Sequence, residues 1–494
     1  VLGSAGGVSG SLFLFEVLFS ARVVRFLLEV GLHQDHEDEA LNRRNRLPKG
    51  INPSDIDFVI ISHAHIDHSG WLPALVKMGF KGPVYTHPAT RDLLEILLPD
   101  SGRLQEDAAE RATKRARRWA EKRAQQGGKS GRKSSRIPKY LPLYTEEDAK
   151  ACFKNIKSIH YNQLYHITDG ITMRFTEASH ILGAAVVTLA IGKDSETRTI
   201  CFTGNIGRPN TPLLRELEAV LHADYVISES TYGGKLHQKR NRRKVLAGII
   251  NPAYERAKQK EKRTGCGAIV IPAFAVGRVQ TVLNDLRELM LTGEIPEMPV
   301  YLDSKMAIAS TAIHRKWHSL YNAETRAVFA RGDDPFKTPR YFECTEDNGI
   351  GKRLVEGKLE EPVIIVGSSG MAAGGKIQRH LQMRLPQRNS TVIFVGYQGT
   401  GVLGYKLVNE ASKEVRIFGK TIPVNAKVEY MPDYSGHADY EEIIGWLKHF
   451  KSKPKAIFLV HGEPSSLAAL KGHIEKALGW NVVVPQRRQC IELK

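Results

Sequence analysis

The chain has 494 residues, of which 42% are hydrophobic and 25% are charged. These proportions are typical of globular proteins and exclude a wholly disordered chain. At about 150 residues per domain, the length predicts two or three domains. We expect no membrane span, because no uncharged apolar run reaches about 18 residues. We also expect no export signal, because no basic segment stands ahead of an apolar one at the start of the sequence.

Five cysteines are scattered along the chain, and no two of them form a Cys-x-x-Cys pair. An odd number at wide spacing argues against a disulfide framework and against a thiolate metal cluster. Cysteines of this kind are typical of the reduced cytoplasm. The sequence therefore predicts a cytoplasmic protein whose thiols are small buried side chains.

The formal net charge of +18 is concentrated in two runs. Residues 110–139 contain 12 Lys or Arg against two Glu, and residues 235–263 contain 11 against two. A nearly neutral body with two basic patches indicates a polyanionic partner such as nucleic acid. The alternative is that both runs are solvated helix faces and loops. The first run is predicted to be a helix that ends in a loop of Gly, Ser, Lys and Arg.

The predicted elements alternate between strands and helices. Short apolar segments rich in β-branched residues predict strands at 58–63, 199–204, 225–230, 268–274, 362–370, 391–396 and 456–462. Helical patterns follow several of them, as at 279–291 and 440–450. This alternation predicts an α/β fold. Because polar residues begin where several strands stop, we expect functional groups at the carboxyl ends of the strands.

The sharpest signal is the hexapeptide His63-Ala-His65-Ile-Asp67-His68, which follows the apolar run FVIIS. Three imidazoles and a carboxylate at a strand end cannot all be buried without partners, and bound metal would provide them. His63 and His65 alternate around a loop, while Asp67 and His68 can turn toward a second ion. Imidazole and carboxylate ligands without Cys favour zinc, with manganese or iron as alternatives.

Several motifs then resemble a known family. HAHIDHSGWLP resembles the HxHxDH signature of the metallo-β-lactamase fold, and later segments are similar, in order, to the β-CASP nuclease branch of that superfamily. EASHILGAA resembles the motif that supplies a further ligand, and CFTGNIGRPN resembles the motif of the bridging ligand. ESTYGG, SGHAD and HGE are similar to motifs A, B and C of the branch. The resemblance runs from about Gly3 to the C-terminus.

The resemblance implies an αββα metallo-β-lactamase sandwich with an inserted β-CASP α/β domain. Residues 1–233 and 420–494 would form the sandwich, and residues 234–419 would form the insertion. Position by position, the implied metal ligands are His63, His65 and His180 for one ion and Asp67, His68 and His461 for the other, with Asn205 at the bridging position.

Two positions depart from the family pattern at this site. Most relatives have Asp where this chain has Asn205, and an amide lacks the charge that would neutralise two dications. We therefore expect the second ion to bind more weakly or to be lost. Glu29 stands in FLLEVG where relatives usually have Asp, which is expected to displace a hydrogen bond to a ligand.

The resemblance also implies the catalytic groups. Two zinc ions would share a water and lower its pKa toward about 7, which makes hydroxide available at neutral pH. Asp67 belongs to this catalytic set, and His437, supported by Glu229, would be the general acid. Additional residues are expected to contact RNA phosphate, namely Ser368, Ser369 and Lys376 of the segment GSSGMAAGGK, and Lys305, which replaces the usual Pro in YLDSKMA.

These features predict a cytoplasmic, zinc-dependent ribonuclease that hydrolyses phosphodiester bonds through metal-bound hydroxide. DNA-directed members of the branch usually have Val at motif C, so His461 favours RNA as the partner. The alternative is a nucleic-acid-binding homologue whose catalysis is attenuated or lost because Asn205 replaces the bridging Asp. A small-molecule hydrolase is a third hypothesis. The sequence leaves open endonuclease against 5′-exonuclease action and the formation of a homodimer.

Overall fold

The computed structural model describes residues 1–20, 22–33, 47, 51–125, 139–399 and 401–494, with the side chains of 123–125 excepted. The strands are β1 Leu12–Phe19, β2 Arg22–Val30, β3 Phe58–Ile60, β4 Val84–Thr86, β5 Ile156–Ser158, β6 Tyr165–Thr168, β7 Ile171–Glu177, β8 Ala185–Ile191, β9 Arg198–Phe202, β10 Tyr225–Ser228, β11 Ala268–Pro272, β12 Val300–Leu302, β13 Tyr341–Glu343, β14 Val363–Gly367, β15 Thr391–Phe394, β16 Glu414–Ile417, β17 Lys420–Pro423, β18 Lys427–Tyr430, β19 Ala456–Leu459 and β20 Val482–Val483.

Most of the α-helices lie in the inserted part of the chain, and the others follow β3, β4, β18 and β19. The helices are α1 Ile66–Ser69, α2 Leu72–Lys77, α3 Pro88–Gln125, α4 Glu146–Ala151, α5 Arg242–Ala257, α6 Arg278–Leu291, α7 Lys305–Lys316, α8 Ala323–Ala330, α9 Ile350–Glu356, α10 Ile377–Arg384, α11 Leu403–Val408, α12 Tyr440–Leu447 and α13 Pro464–Leu478. Among the described residues, no helix combines the length and the apolar character that crossing a bilayer requires.

Two sheets pack face to face. One has the strand order β1-β2-β3-β4-β5, and the other has the order β20-β19-β10-β9-β8-β7-β6. A layer of buried aromatic and branched side chains lies between them. Within it, Phe26 stacks on Phe58 with ring centroids 4.6 Å apart, and Phe13 reaches Phe202 of the other sheet at 5.6 Å. Because β19 and β20 come from the end of the chain, both termini build this sandwich.

A third sheet with the order β13-β12-β14-β11-β15-β18 has only parallel neighbours among its described strands. Its strands alternate with α5 to α11, so this part is an inserted α/β domain. The expected sandwich with an α/β insertion is thereby confirmed. The predicted boundary at residue 419 falls in the turn of the β16–β17 hairpin. Because β18 still pairs with β15, from Thr391 opposite Lys427 to Phe394 opposite Tyr430, the chain returns to the sandwich only after Tyr430.

The predicted strands and helices lie where the sequence indicated them, with small differences at the ends. The helix predicted at 440–450 ends at Leu447, and the helix of the first basic run extends to Gln125. Most of the loop predicted after that helix lies outside the described residues. Four cysteines are buried as expected, whereas Cys490 is exposed in the segment that follows β20.

Candidate metal centre and catalytic site

The site lies at the floor of a cleft of about 2340 Å³ between the sandwich and the inserted domain. Parallel pairing of β10 with both β9 and β19 aligns the carboxyl ends of these strands. The loops that follow them carry Asn205, Glu229 and His461, and the β7–β8 loop brings in His180. Side chains separated by up to four hundred residues in sequence therefore meet at one edge of the sheet.

The hexapeptide begins just after β3 and turns into the short helix α1. His65 is the N-terminal cap of this helix, and Asp67 and His68 lie within it. The turn packs closely against the residue before β1, where the Ser11 N–H donates to the Asp67 carbonyl oxygen at 2.9 Å, and against Gly31, which follows β2. A Cβ atom on Gly31 would lie 1.7 Å from that carbonyl oxygen, so only glycine permits this approach.

The first group of candidate ligands contains three imidazoles, His63, His65 and His180, whose ligand atoms all lie within 4.8 Å of one another. His63 Nδ1 is 2.9 Å from the Ser62 hydroxyl, and His180 Nδ1 is 2.8 Å from the Gly436 carbonyl oxygen. These contacts leave the Nε2 atoms of both rings to face the centre. His180 Nε2 lies 3.3 Å from His65 Nδ1.

The second group contains Asp67, His68 and His461, again within 4.8 Å of one another. His461 Nδ1 is 3.1 Å from the Thr231 hydroxyl, and His461 Nε2 is 3.2 Å from both Asp67 Oδ2 and His68 Nε2. Behind His68, one Glu29 carboxylate oxygen lies 3.5 Å from Nδ1, while the other accepts the Ser62 N–H at 2.9 Å. The Glu29–His68 contact is longer than an ordinary hydrogen bond.

Asn205 lies beside the first group, with Nδ2 3.4 Å from His63 Nε2. Its carbonyl oxygen is buried and has no hydrogen-bond partner among the described residues. A buried acceptor without a partner is costly, and a cation would satisfy it. Together with the ring nitrogens that converge on two points, this acceptor fits the binding of divalent metal at both groups.

The pKa values of the first group's histidines are shifted in the opposite direction to the pKa of His68 in the second group. Burial lowers the pKa of His65 to about 4 and also lowers the pKa values of His63 and His180, so these rings are neutral at physiological pH and can bind metal. Burial alone would lower the pKa of His68, but the carboxylates of Asp67 and Glu29 reverse the shift and raise it. A proton therefore competes with metal at the second group more strongly than at the first.

His437 and Glu229 form a pair at the edge of the centre. His437 Nδ1 is 2.9 Å from one Glu229 carboxylate oxygen and 3.2 Å from the other, which also accepts the Ile206 N–H at 2.7 Å. Burial acts to raise the pKa of Glu229, but the adjacent His437 outweighs it and the net shift is downward. The His437 ring centroid lies 4.6 Å from that of His180, and the residue lines the cleft.

The four predicted phosphate contacts also line the cleft. Lys376 Nζ is 2.8 Å from Asp303 Oδ1, and the hydroxyl groups of Ser304 and Ser368 are 2.5 Å apart. Lys305 begins α7 and pairs with Glu346 at 2.6 Å, and its side chain is mostly exposed. Ser369 lies next to Ser368 on the same cleft wall.

Sequence reasoning missed three side chains that surround the centre. Ser62 and Thr231 contact the outer nitrogens of two candidate ligands, His63 and His461. Arg278, at the start of α6, lines the cleft and lies close to Gly436. A Cβ atom added to Gly436 would be only 3.1 Å from its guanidinium group. The available signals were weak: Ser62 immediately precedes His63, and Arg278 is the basic residue of the segment PAFAVGRVQ.

Comparison with known proteins agrees with this architecture. Residues 25–134 match the model of the metallo-beta-lactamase superfamily, residues 279–407 match the Beta-Casp domain, and residues 421–485 match the Zn-dependent metallo-hydrolase RNA specificity domain. The Beta-Casp match lies wholly within the inserted part of the chain.

Whole proteins are similar over most of the chain. The ribonuclease TTHA0252 of Thermus thermophilus is 30% identical over 468 residues, covering 95% of this chain and 94% of the relative. The transcription termination factor FttA of Methanocaldococcus jannaschii is 30% identical over 480 residues, covering 95% of this chain and 68% of the relative. FttA of Pyrococcus horikoshii is 31% identical over 447 residues, covering 89% and 62%. The chain therefore belongs to the β-CASP branch of the metallo-β-lactamase superfamily.

Proposed function

We propose that this chain is a zinc-dependent ribonuclease that hydrolyses phosphodiester bonds of single-stranded RNA in the cleft. One observation carries the proposal. A group of three histidines and a group of one aspartate and two histidines converge beside the His437–Glu229 pair in the cleft. The names of the relatives support the substrate class, since they include a ribonuclease and transcription termination factors. The family description that names zinc supports the choice of metal.

Bound metal ions supply a nucleophilic hydroxide at neutral pH and offset negative charge on the phosphate. The two groups of ligands supply the positions for these ions, and Asp67 supplies a negative charge at the second group. Ser62, Thr231 and the Gly436 carbonyl bind the outer nitrogens of the ligand rings and fix their orientation.

His437 is the proton donor to the departing oxygen in this proposal. Because Nδ1 is bound to Glu229, Nε2 is the ring nitrogen that remains for the substrate. The Glu229 carboxylate binds Nδ1 and so fixes the orientation of the ring that carries the donating Nε2. Glu229 is itself held by the Ile206 N–H, so it is a rigid support.

Cationic and hydroxyl groups on the walls bind the RNA backbone. Asp303 tethers Lys376 and so orients the ammonium group in the cleft wall, next to the hydroxyls of Ser368 and Ser369. Lys305 is exposed at the same wall, and Arg278 lies on the floor near His65 and His180. Phosphate contacts of this kind position a strand without reading its sequence.

The test is a cleavage assay on end-labelled single-stranded RNA, with protein stripped by a chelator and then reloaded with Zn²⁺ or Mn²⁺. We expect cleavage only by reloaded protein. His437→Ala should lower the rate about 10²- to 10⁴-fold, the usual range for a general acid. His222→Ala, at an exposed histidine, is the matched control and should cleave as the wild type does.

Two results would contradict the proposal. One is cleavage at the same rate without metal, and the other is an unchanged rate in His437→Ala. RNA binding without hydrolysis by metal-loaded wild type would instead support the binding homologue that Asn205 suggests.

A further inference from the structure

The two basic runs have different structural roles. In the second run, Arg240 makes a two-fold contact with Asp433, at 2.6 Å for each oxygen. Arg242 and Arg243 both bind Asp285, at 2.7 and 3.0 Å. These two carboxylates pair with three of the eleven cationic residues of the run. Arg242 and Arg243 thereby tie α5 to α6 within the inserted domain, and Arg240 ties that domain to the segment that returns to the sandwich.

The first run forms the outer part of α3. Ala109 is the last buried residue of the helix that the structure describes, and every described side chain from Glu110 to Lys122 is exposed or half-buried. We call residues 110–122 the basic arm. At about 1.5 Å per residue it extends for about 20 Å. Its charged residues are Arg111, Lys114, Arg115, Arg117, Arg118 and Lys122, against Glu110 and Glu121.

The arm is continuous with the cleft. Arg103 and Leu104, one to two turns before the arm, line the cleft, and so does Arg111 within it. The helix therefore leads from the cleft rim into solvent with a net positive charge along its length. Trp119 lies near the outer end, and 66% of its surface is exposed. An exposed indole among arginines is the combination that stacks unpaired bases while cations contact the backbone.

We propose that the basic arm binds the part of a single-stranded RNA that extends out of the cleft, so that long RNAs bind more tightly than short ones. The proposal rests on the ribonuclease function for the identity of the ligand. Charge complementarity with phosphate and continuity with the cleft favour RNA. A membrane surface fits less well, because Trp119 is the only large apolar side chain that the arm exposes among its described residues.

The experiment measures RNA binding separately from cleavage. The chain carrying His437→Ala is titrated against labelled single strands of about 30 and about 8 nucleotides. The longer strand is chosen to cover about the cleft and the arm together, and the shorter one to cover about the cleft alone. In this background, Arg117→Gln, Arg118→Gln and Lys122→Gln are combined. The matched control combines Lys150→Gln, Lys193→Gln and Lys352→Gln, three exposed lysines that do not line the cleft.

For the 30-nucleotide strand we expect the arm variant to bind at least about tenfold more weakly. The slope of log affinity against log salt should fall by about 2, as three lost contacts to a single strand predict. The 8-nucleotide strand should be affected about twofold or less. Trp119→Ala should weaken binding of the long single strand about fivefold and leave binding of an RNA duplex unchanged, because a duplex has no unpaired base to stack.

Equal binding of the 30-nucleotide strand by the arm variant and the lysine control would overturn the inference. So would a change in oligomeric state of the arm variant by sedimentation, since the arm would then bind a second copy of the chain. The same measurements distinguish failure of the ribonuclease proposal from failure of the proposal for the arm. If binding depends on the arm but the wild type does not cleave RNA, the ribonuclease proposal is rejected and the role of the arm stands. If the wild type cleaves RNA but binding does not depend on the arm, the role of the arm is rejected and the ribonuclease proposal stands.

Discussion

The two groups of candidate ligands lie side by side but differ in charge. His63, His65 and His180 are three imidazoles whose pKa values are lowered by burial, and beside them Asn205 adds only an amide. The second group contains the Asp67 carboxylate, and Glu29 lies behind His68. The first group is therefore a set of neutral imidazoles, whereas the second combines the Asp67 carboxylate with a histidine that is protonated more readily than usual.

This difference shows how one hexapeptide can contribute ligands to two unlike candidate metal positions. The first group resembles a three-imidazole site, which binds zinc with neutral ligands alone. The second group attracts a cation by charge but must release a proton from His68 to bind it. Proton competition, rather than the number of ligands, is then the main distinction between them.

The largest expected effect comes from deleting one ligand in each group. His65→Ala should remove the ion of the first group, and His461→Ala should remove the ion of the second, because each leaves two protein ligands. In each variant the affinity should fall by more than about 100-fold, beyond the range for a supporting residue. Metal content after dialysis, measured by mass spectrometry, checks this. Loss of both ions in both variants would mean that the groups form one indivisible site.

Asn205→Asp should produce the next largest effect. A carboxylate at this position would add a negative charge beside His63, and we expect affinity for the more weakly bound ion to rise about 100-fold. Titration with a competing chelator measures this change. Asn389→Asp, at another buried amide, is the control for a buried charge elsewhere. Unchanged affinity would show that the amide oxygen already serves as a full ligand.

A fall in pH should weaken metal binding at the second group before it weakens metal binding at the first. The folded-state pKa of His68 is raised, so a proton occupies it over a range that begins above its ordinary value, and metal affinity at the second group falls as pH falls through that range. The pKa of His65 is about 4, so the first group resists protonation until much lower pH. We expect about a tenfold loss of metal affinity per pH unit at the second group once the pH falls below the raised pKa of His68. Simultaneous release of both ions on dialysis over this range would contradict the distinction.

The smallest expected effect concerns the residues behind the rings. Ser62→Ala removes the hydroxyl at His63, and Thr231→Val removes the hydroxyl at His461. Each substitution should lower metal affinity about tenfold. Ser62→Ala should affect only the first group, and Thr231→Val should affect only the second. Each variant serves as the control for the other in the same chelator titration. A reversed pattern, in which Ser62→Ala weakens the second group, would show that Glu29 carries the effect through the Ser62 N–H.

Much of the site was predictable because its residues occur in short motifs. The hexapeptide, His180, His437 and His461 could be assigned from sequence, and the structure brings these side chains together at one end of the sandwich. The alternation of strands and helices also predicted the α/β class. Local patterns succeed here because buried parallel strands require continuous apolar runs.

Other features could not be read from the motifs. The return to the sandwich after Tyr430 depends on the pairing of β18 with β15, which is a long-range ladder. The parts played by Thr231 and Arg278 depend on contacts with residues far away in sequence, and the Ser62 hydroxyl contacts its neighbour His63 only because of the local backbone geometry. The predicted phosphate contacts of Ser368, Ser369, Lys376 and Lys305 remain predictions, as do the individual catalytic roles.

The sequence by itself determined which donor atoms this protein possesses, where its strands end, and that its positive charge falls in two runs. Only the tertiary structure decided that arginines of one run pair with distant carboxylates while most described side chains of the other run are exposed, because charge pairing depends on which distant side chains become neighbours. It also decided the protonation of the centre, because burial and nearby carboxylates shift the pKa values of identical imidazoles in opposite directions.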